Sequence, residues 1–328
     1  MTTGQRVLVT GGAGFIGSHL VDRLLESGHS VVVLDDLSTG SYRNIRHLLD
    51  DPRFQFHQGS VTDPATVEVA IEDVGTVYHL AAAVGVQLIV DRPLQSLLTN
   101  IRGTEVILEA AQRARTKIVI TSTSEIYGKS QNGPFKEDDD RLLGSPRKLR
   151  WSYSTSKAVD EILAYVYHRE LGLPTVVARL FNTVGPRQTG HYGMVVPRFI
   201  GQALLNEPLT VYGDGTQSRS FTYVGDVVEA LMLLGAAPEA EGGVFNIAGS
   251  SEITIGDLAR LIIEKTGSQS EVHQVPFEDV YGDGFEDLQR RAANTQRLES
   301  LTGYRCTTGL DEMIERMVEY AKETARAL

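Results

Sequence analysis

The chain is short of several features that mark secreted, membrane-bound or nucleic-acid-binding proteins. It holds one cysteine, Cys306, in 328 residues, so no intramolecular disulfide can form. That suits a reducing compartment, and a cytoplasmic location is the expectation. No catalytic motif surrounds Cys306, which reads as an inert thiol. No apolar run is long enough to span a bilayer. The start, Met1-Thr2-Thr3-Gly4, lacks the basic and apolar regions of a signal peptide, so none is expected. Positive charge is also scarce: 31 Lys and Arg face 42 Asp and Glu, for a formal net charge of −11. Non-specific binding to nucleic acid or anionic membrane needs basic patches, so neither partner is expected. A few local arginines still suffice for a phosphorylated small ligand.

What is present is ordinary for a soluble globular protein, with 41% hydrophobic and 22% charged residues. Arg6–Thr10 (RVLVT), Ser30–Leu34 (SVVVL), Thr76–Leu80 (TVYHL), Lys117–Thr121 (KIVIT) and Thr175–Leu180 predict short buried strands. Phe15–Ser27, closed by Gly28, and Pro93–Arg113 carry helical apolar spacing. Strands alternating with helices predict an α/β chain, a Rossmann-type doubly wound parallel sheet over residues 1–184. Residues 185–328 read mainly as a smaller substrate-binding lobe. Parts of 221–250, namely Phe221–Gly235 and Val244–Ala248, are expected to return to the main sheet. Ile255–Thr266 and Leu310–Ala325 predict amphipathic helices. The polar stretch Pro134–Leu149 reads as a mobile loop beside the site.

The run Val9-Thr10-Gly11-Gly12-Ala13-Gly14-Phe15-Ile16-Gly17 follows a strand and opens a helix. Gly11, Gly14 and Gly17 allow a tight turn, a close approach to a pyrophosphate and close helix–strand packing, with free N–H groups facing the phosphates. The flanking strand and helix make this a dinucleotide site rather than a plain glycine turn. Asp35 stands about 20 residues on, where an acidic side chain binds ribose hydroxyls. Its carboxylate repels a 2′-phosphate, which favours NAD over NADP. Asp36 is the lesser candidate and reads more simply as a solvated turn residue.

Tyr153 and Lys157 lie four residues apart in Tyr-Ser-Thr-Ser-Lys, at the start of a predicted helix, and so share a face. A free phenol, with a pKa of about 10, is too weak an acid to be a base at neutral pH. A nearby ammonium favours the phenolate. Thr121-Ser122-Thr123-Ser124-Glu125 follows another strand, at the carboxyl end of the sheet where ligands bind. Thr123 is placed to hydrogen-bond a substrate hydroxyl that Tyr153 deprotonates. Thr121 and Ser122 read equally well as turn caps.

Together these pieces resemble the extended short-chain dehydrogenase/reductase family of nucleotide-sugar epimerases, decarboxylases and dehydratases. The matching stretches are GGAGFIGSH, LDDLSTG, HLAA, TSTSEIYG, YSTSK, RLFNTVGPRQ, LTVYGDGTQSRSF and YVGDV, spread over nearly the whole chain. The resemblance implies tightly held NAD, a UDP- or dTDP-sugar substrate, no metal, and a homodimer through helices near Pro93–Ala114 and Ser152–Leu171. On the cofactor it implies, besides the glycines, Phe15, Ile16, Ser38, Thr39, Gly40, Ser60, Val61, Leu80, Ala81, Ala82, Asn100 and Thr121. Ser60 departs from the family, which usually has Asp there to meet adenine. Tyr153 would be the base, Lys157 its partner and ribose ligand, and Thr123, Ser124 and Glu125 the catalytic triplet. On the substrate it implies Val86, Asn182, Val195, Val196, Thr210, Tyr212 against uracil, and Arg219 and Arg291 on the diphosphate. Arg187 would hold a carboxylate at carbon 6.

The shared first step is oxidation at carbon 4 of the sugar. A 4,6-dehydratase usually carries Thr-Asp-Glu, and Ser124 replaces that Asp, which argues against dehydration. Thr123-Ser124-Glu125 and the segment Gly282–Arg291 resemble a UDP-glucuronate decarboxylase, forming UDP-xylose, with Arg291 as its acid. The stretch RLFNTVGPRQTG and the small loop Val84-Gly85-Val86 instead suit a 4-epimerase, in which the keto sugar turns over. The expectation is therefore a UDP-sugar 4-epimerase, converting UDP-glucuronate to UDP-galacturonate or acting on UDP-glucose, with the decarboxylase as the alternative. A non-catalytic NAD-binding regulator is the alternative of another class. Such proteins often lose the catalytic tyrosine, and Tyr153, Lys157 and Thr123 are all present.

Overall fold

A computed structural model describes residues 4–85, 92–130, 133–190, 194–281 and 289–326. Its centre is a seven-stranded parallel sheet. The strands are β1 (Arg6–Thr10), β2 (Ser30–Asp35), β3 (Phe54–Gln58), β4 (Thr76–His79), β5 (Lys117–Thr123), β6 (Thr175–Leu180) and Val244–Ile247. Their spatial order runs from Val244–Ile247 through β6, β5, β4, β1 and β2 to β3. The Val- and Ile-rich strands are buried on both faces, the pattern a helix-covered parallel sheet demands.

Alternation along each strand divides the core in two. On one face Val7, Val9, Val31 and Val33 pack with Leu20 and Leu24 of α1 (Phe15–Glu26) and Leu231 of the Val224–Ala236 helix. On the other, Leu8, Val32, Val77 and Ile118 pack with Ile107 of the Pro93–Ala114 helix and Ala164 of the Ser152–Leu171 helix. A fully buried leucine such as Leu24 contributes about 1.5–3 kcal/mol over an exposed one.

Two features differ from the sequence expectation. Val244–Ile247 joins the sheet beside β6, but most of Phe221–Gly235 forms the helix Val224–Ala236. Its valines and leucines serve the sheet's face, not its edge. Pro134–Leu149 is anchored rather than loose at its start: Phe135 is buried and stacks on Tyr127 with ring centroids 4.7 Å apart. Phe135 also accepts from Asn294 N at 2.8 Å and donates to Ala292 O at 2.9 Å. One apolar ring in a charged stretch sufficed to pin it.

The remaining elements form a third core around Phe199, Val211, Leu258, Ile262, Met313 and Ile314. Here Ser218–Ser220 pairs antiparallel with Glu252–Thr254 and parallel with Arg290–Arg291, setting Arg219 directly beside Arg291.

Candidate active site

The strand order reverses at β1, between β4 and β2, the topological switch point where such sheets bind ligands. There a cavity of about 1050 Å³ runs from the glycine loop to the lobe. Ligand sites usually span about 300–1,000 Å³, so this one has room for two ligands.

At the first end the backbone dictates the chemistry. Gly11 has φ +71°, and a Cβ on it would sit 2.8 Å from Ala81 N. A Cβ on Gly17 would overlap the Gly11 carbonyl. The turn is therefore closed to side chains and leaves the start of α1 facing the cavity, a cradle that fits a dinucleotide pyrophosphate. Asp35 lines the cavity, and its oxygens accept from Ala13 N at 2.9 Å and Leu37 N at 2.8 Å. Burial raises its carboxyl against the pull of those two N–H groups. It thus braces the glycine loop while lining the cavity. Asp36 lines the cavity too, exposed.

In the middle, β5 delivers Thr121, Ser122 and Thr123 to the cavity, and the following turn delivers Ser124 and Glu125. Tyr153 and Lys157 face them from the Ser152–Leu171 helix. Thr123 caps the turn by accepting from Glu125 N at 3.2 Å, and it shares a hydrogen bond with the Tyr153 hydroxyl. Burial pushes the Tyr153 phenol up, and the negative charges of Glu125 and Asp160 add to it. The Lys157 ammonium sits 2.7 Å from Asp160 Oδ2. Beneath them His79 bridges Thr10 and Thr104, and burial, aided by Lys157, drives its pKa down to about 3. The imidazole is neutral there.

At the sugar end Glu125 is gripped by two arginines. Arg150 donates from Nη2 to Oε1 at 2.9 Å, and its Nη1 lies 2.6 Å from Oε2. Arg291 Nη1 lies 2.5 Å from Oε1. Burial alone would raise the Glu125 carboxyl, but Arg291 and Arg150 outweigh it and hold it at about 2. Glu125 is therefore an anion at neutral pH. Farther out, Arg198 lies 4.0 Å over the Tyr212 ring, and both line the cavity with Arg219 and Phe277.

Most of the residues singled out from the sequence meet here. Gly11, Gly14, Phe15, Ile16, Gly17, Ser38, Thr39, Val61, Leu80, Ala81 and Ala82 line the first end, and Asn182, Val195, Val196, Tyr212, Arg219 and Arg291 the second. Five do not line it. Arg187, at φ +67°, turns to Asp22 of α1 and pairs with it at 2.7 Å, away from the cavity in which it was expected. Thr210 is tied to Arg198 and Gln202, and Arg198 takes the place expected for it. Ser60 turns to Thr62 at 2.9 Å while its neighbours Gly59 and Val61 line the wall. Gly40 lies behind Asp35, against the Ala13 carbonyl. Asn100 accepts from Ala83 N at 2.7 Å and donates to Ser156 at 3.2 Å, joining the loop after β4 to the catalytic helix. Val86 and residues 282–288 of the decarboxylase-like segment lie outside the described residues. Arg150, Arg198 and Asp160 were not anticipated. Arg150 stands three residues before Tyr153 and falls in no spacing motif.

The family model described as GDP-mannose 4,6 dehydratase matches residues 8–317. The chain belongs to this family. It is an extended short-chain dehydrogenase/reductase, as the motifs implied. A UDP-N-acetyl-alpha-D-glucosaminuronate decarboxylase of Bacillus cytotoxicus is 37% identical over 97% of this chain and 98% of its own length. UDP-glucuronic acid decarboxylase 2 of Arabidopsis thaliana is 36% identical over 96% of this chain and 68% of its own. Among solved structures, the UDP-glucuronic acid 4-epimerase of Bacillus cereus, in complex with UDP-glucuronic acid and NAD, superposes with a TM-score of 0.88. It is 31% identical and covers 98% of this chain and 100% of its own.

Proposed function

We propose that this protein is an NAD-dependent UDP-hexuronate decarboxylase, converting UDP-glucuronate to UDP-xylose and CO₂. The observation that carries the reading is the Arg150–Glu125–Arg291 cluster beside Tyr153. Two guanidiniums that line the cavity beside Tyr153 offer N–H donors suited to a sugar bearing a carboxylate at carbon 6. The decarboxylase names of the relatives from Bacillus cytotoxicus and Arabidopsis thaliana support the same choice. Arg187, the residue offered for holding a carboxylate in the epimerase reading, pairs with Asp22 and does not line the cavity.

NAD, held by the Gly11–Gly17 turn and Asp35, would supply a reversible hydride acceptor for carbon 4. Tyr153 takes the carbon-4 hydroxyl proton, with Thr123 sharing its hydrogen bond, and later gives a proton back to the carbon-4 oxygen. The 4-keto uronate is a β-keto acid. Its bond between carbons 5 and 6 breaks to release CO₂, and the electron pair passes into the enolate. Arg291 and Arg150 offer N–H groups to the carboxylate before departure and to the charge left behind. A proton then adds at carbon 5.

The reading is tested by incubating the purified protein with UDP-glucuronate and, separately, its 2-acetamido analogue, then resolving products by mass and NMR. Loss of one CO₂ with no net NADH supports it. A product of equal mass would return the 4-epimerase reading, which the Bacillus cereus neighbour supports. Tyr153→Phe is expected to cut turnover about 10²–10⁴-fold with the fold intact. We also propose a homodimer through the Pro93–Ala114 and Ser152–Leu171 helices, which pack together and expose Leu94, Leu98, Ile162 and Tyr165. Sedimentation showing a dimer that Leu98→Asp converts to monomer would support it.

A further inference from the structure

Asp160 is an unusual residue to find behind a catalytic lysine. It follows Lys157 by three residues on the same helix and is entirely enclosed, with 0% exposure against 3% for Lys157. Its Oδ2 lies 2.7 Å from the ammonium, and its Oδ1 has no hydrogen-bond partner among the described residues. A buried carboxylate with one partner is costly to keep, so its single contact is the place to look for a role. The neighbouring polar groups bind one another instead. His79 of β4 takes Thr10 and Thr104, and Ser156 takes Asn100. Lys157 is thus the one cation that Asp160 meets among the described residues.

The charged groups around Tyr153 can be set out element by element. The turn after β5 brings Glu125, itself bound to Arg150 and Arg291. β5 brings the neutral Thr123 hydroxyl, and β4 the neutral His79. The tyrosine's own helix brings Lys157 and Asp160. The ammonium that a tyrosine base needs is therefore accompanied by an equal and opposite charge.

We propose that Asp160 is a positioning residue that fixes the Lys157 ammonium and offsets its charge at Tyr153, setting the proton affinity of the phenol. The chemistry gives this a purpose. Tyr153 must act as a base when carbon 4 is oxidised and as an acid when it is reduced again. A lone ammonium would favour the first task at the expense of the second, whereas a paired one holds the affinity between the two. This inference rests on Tyr153 serving the carbon-4 oxidation and reduction, and is independent of the decarboxylation step.

The test titrates Tyr153 directly, so it does not depend on turnover. With 12 tyrosines in the chain, the phenolate absorbance of Tyr153 is taken as the difference between each protein and its Tyr153→Phe counterpart. Removing an opposite charge near an ion pair shifts a neighbouring group by about 1–3 pKa units, so Asp160→Asn is expected to lower the Tyr153 midpoint by about one unit or more. Asp160→Glu, which keeps the carboxylate, is expected to restore the wild-type midpoint. A folded Asp160→Asn protein with an unmoved midpoint would overturn the proposal. Should Asp160→Asn not fold, the double variant Lys157→Met/Asp160→Leu replaces the ion pair with apolar groups. Its midpoint should stay at the wild-type value, and a large upward shift would show that the lysine charge was never offset. Absence of turnover on any UDP-hexuronate would count against the proposed reaction and leave this titration readable.

Discussion

Two buried arginine–glutamate clusters leave the carboxyl end of β5 within a few residues of each other. Ser122 donates to Glu161 at 2.5 Å, and Glu161 pairs with Arg179 at 2.7 Å. Arg179 also donates to the Tyr127 hydroxyl at 2.9 Å and the Glu137 carbonyl at 2.8 Å. Tyr127 in turn donates to Asn246 at 2.7 Å, which ties β5, β6 and Val244–Ile247 to the Phe135 segment. One cation meets one anion, and the remaining donors meet neutral acceptors. Three residues later Glu125 meets two cations, and Arg150, Glu125 and Arg291 all line the cavity. The two clusters are about equally buried. Access to the cavity distinguishes them: Arg179 and Glu161 stand behind its wall and hold strands together, while Arg150, Glu125 and Arg291 line it.

Substitutions can sharpen or break this contrast. The largest effect is expected from Glu161→Gln, which strands Arg179 and should cost about 3–5 kcal/mol of stability by denaturant melts. Activity per folded molecule should stay close to wild type. Next is Arg291→Gln, for which CO₂ release should fall about 10²–10³-fold, the loss typical of one charge-stabilising donor. Its melting temperature should move far less than that of Glu161→Gln. If the two variants exchanged phenotypes, the division into structural and reactive clusters would collapse.

The third effect is pH-dependent. Glu125 titrates at about 2 in the folded protein against an ordinary value of 4.5. A depressed carboxyl stabilises the fold above the ordinary value, and that contribution is lost as pH falls through the folded value. The advantage of wild type over Glu125→Gln should thus be constant above pH 4.5 and shrink toward pH 2, by about 3 kcal/mol at most. The smallest effect is expected from Arg187→Gln. It breaks the pair with Asp22 outside the cavity, and the KM for UDP-glucuronate should change little. A large rise in KM would place Arg187 on the substrate after all.

The same contrast explains what the sequence revealed. The dinucleotide end was legible because it is written in backbone: Gly11 and Gly17 stand where a Cβ has no room, and β1 and α1 flank them. Tyr153, Lys157 and Thr123 were legible because helix and strand geometry convert spacing into proximity. The sugar end is assembled from distant segments. Arg291 reaches Glu125 because its strand is held between Ser218–Ser220 and Phe135, a pairing no local pattern announces. Arg150 precedes Tyr153 with no periodic signal, and Asp160 looks like any polar helix residue until its burial is known. Arg187 belongs to a recognisable stretch, yet its pairing with Asp22 of α1 at a positive φ has no signal in that stretch.

The proposed decarboxylation rests on the Arg150–Glu125–Arg291 cluster. The most direct measurement is turnover of UDP-glucuronate in D₂O with NMR analysis of the product. The account predicts a pentose lacking carbon 6 that carries one solvent deuterium at carbon 5, since that carbon must be reprotonated after CO₂ departs. A hexuronate product of inverted carbon 4, with no deuterium at carbon 5, would contradict it.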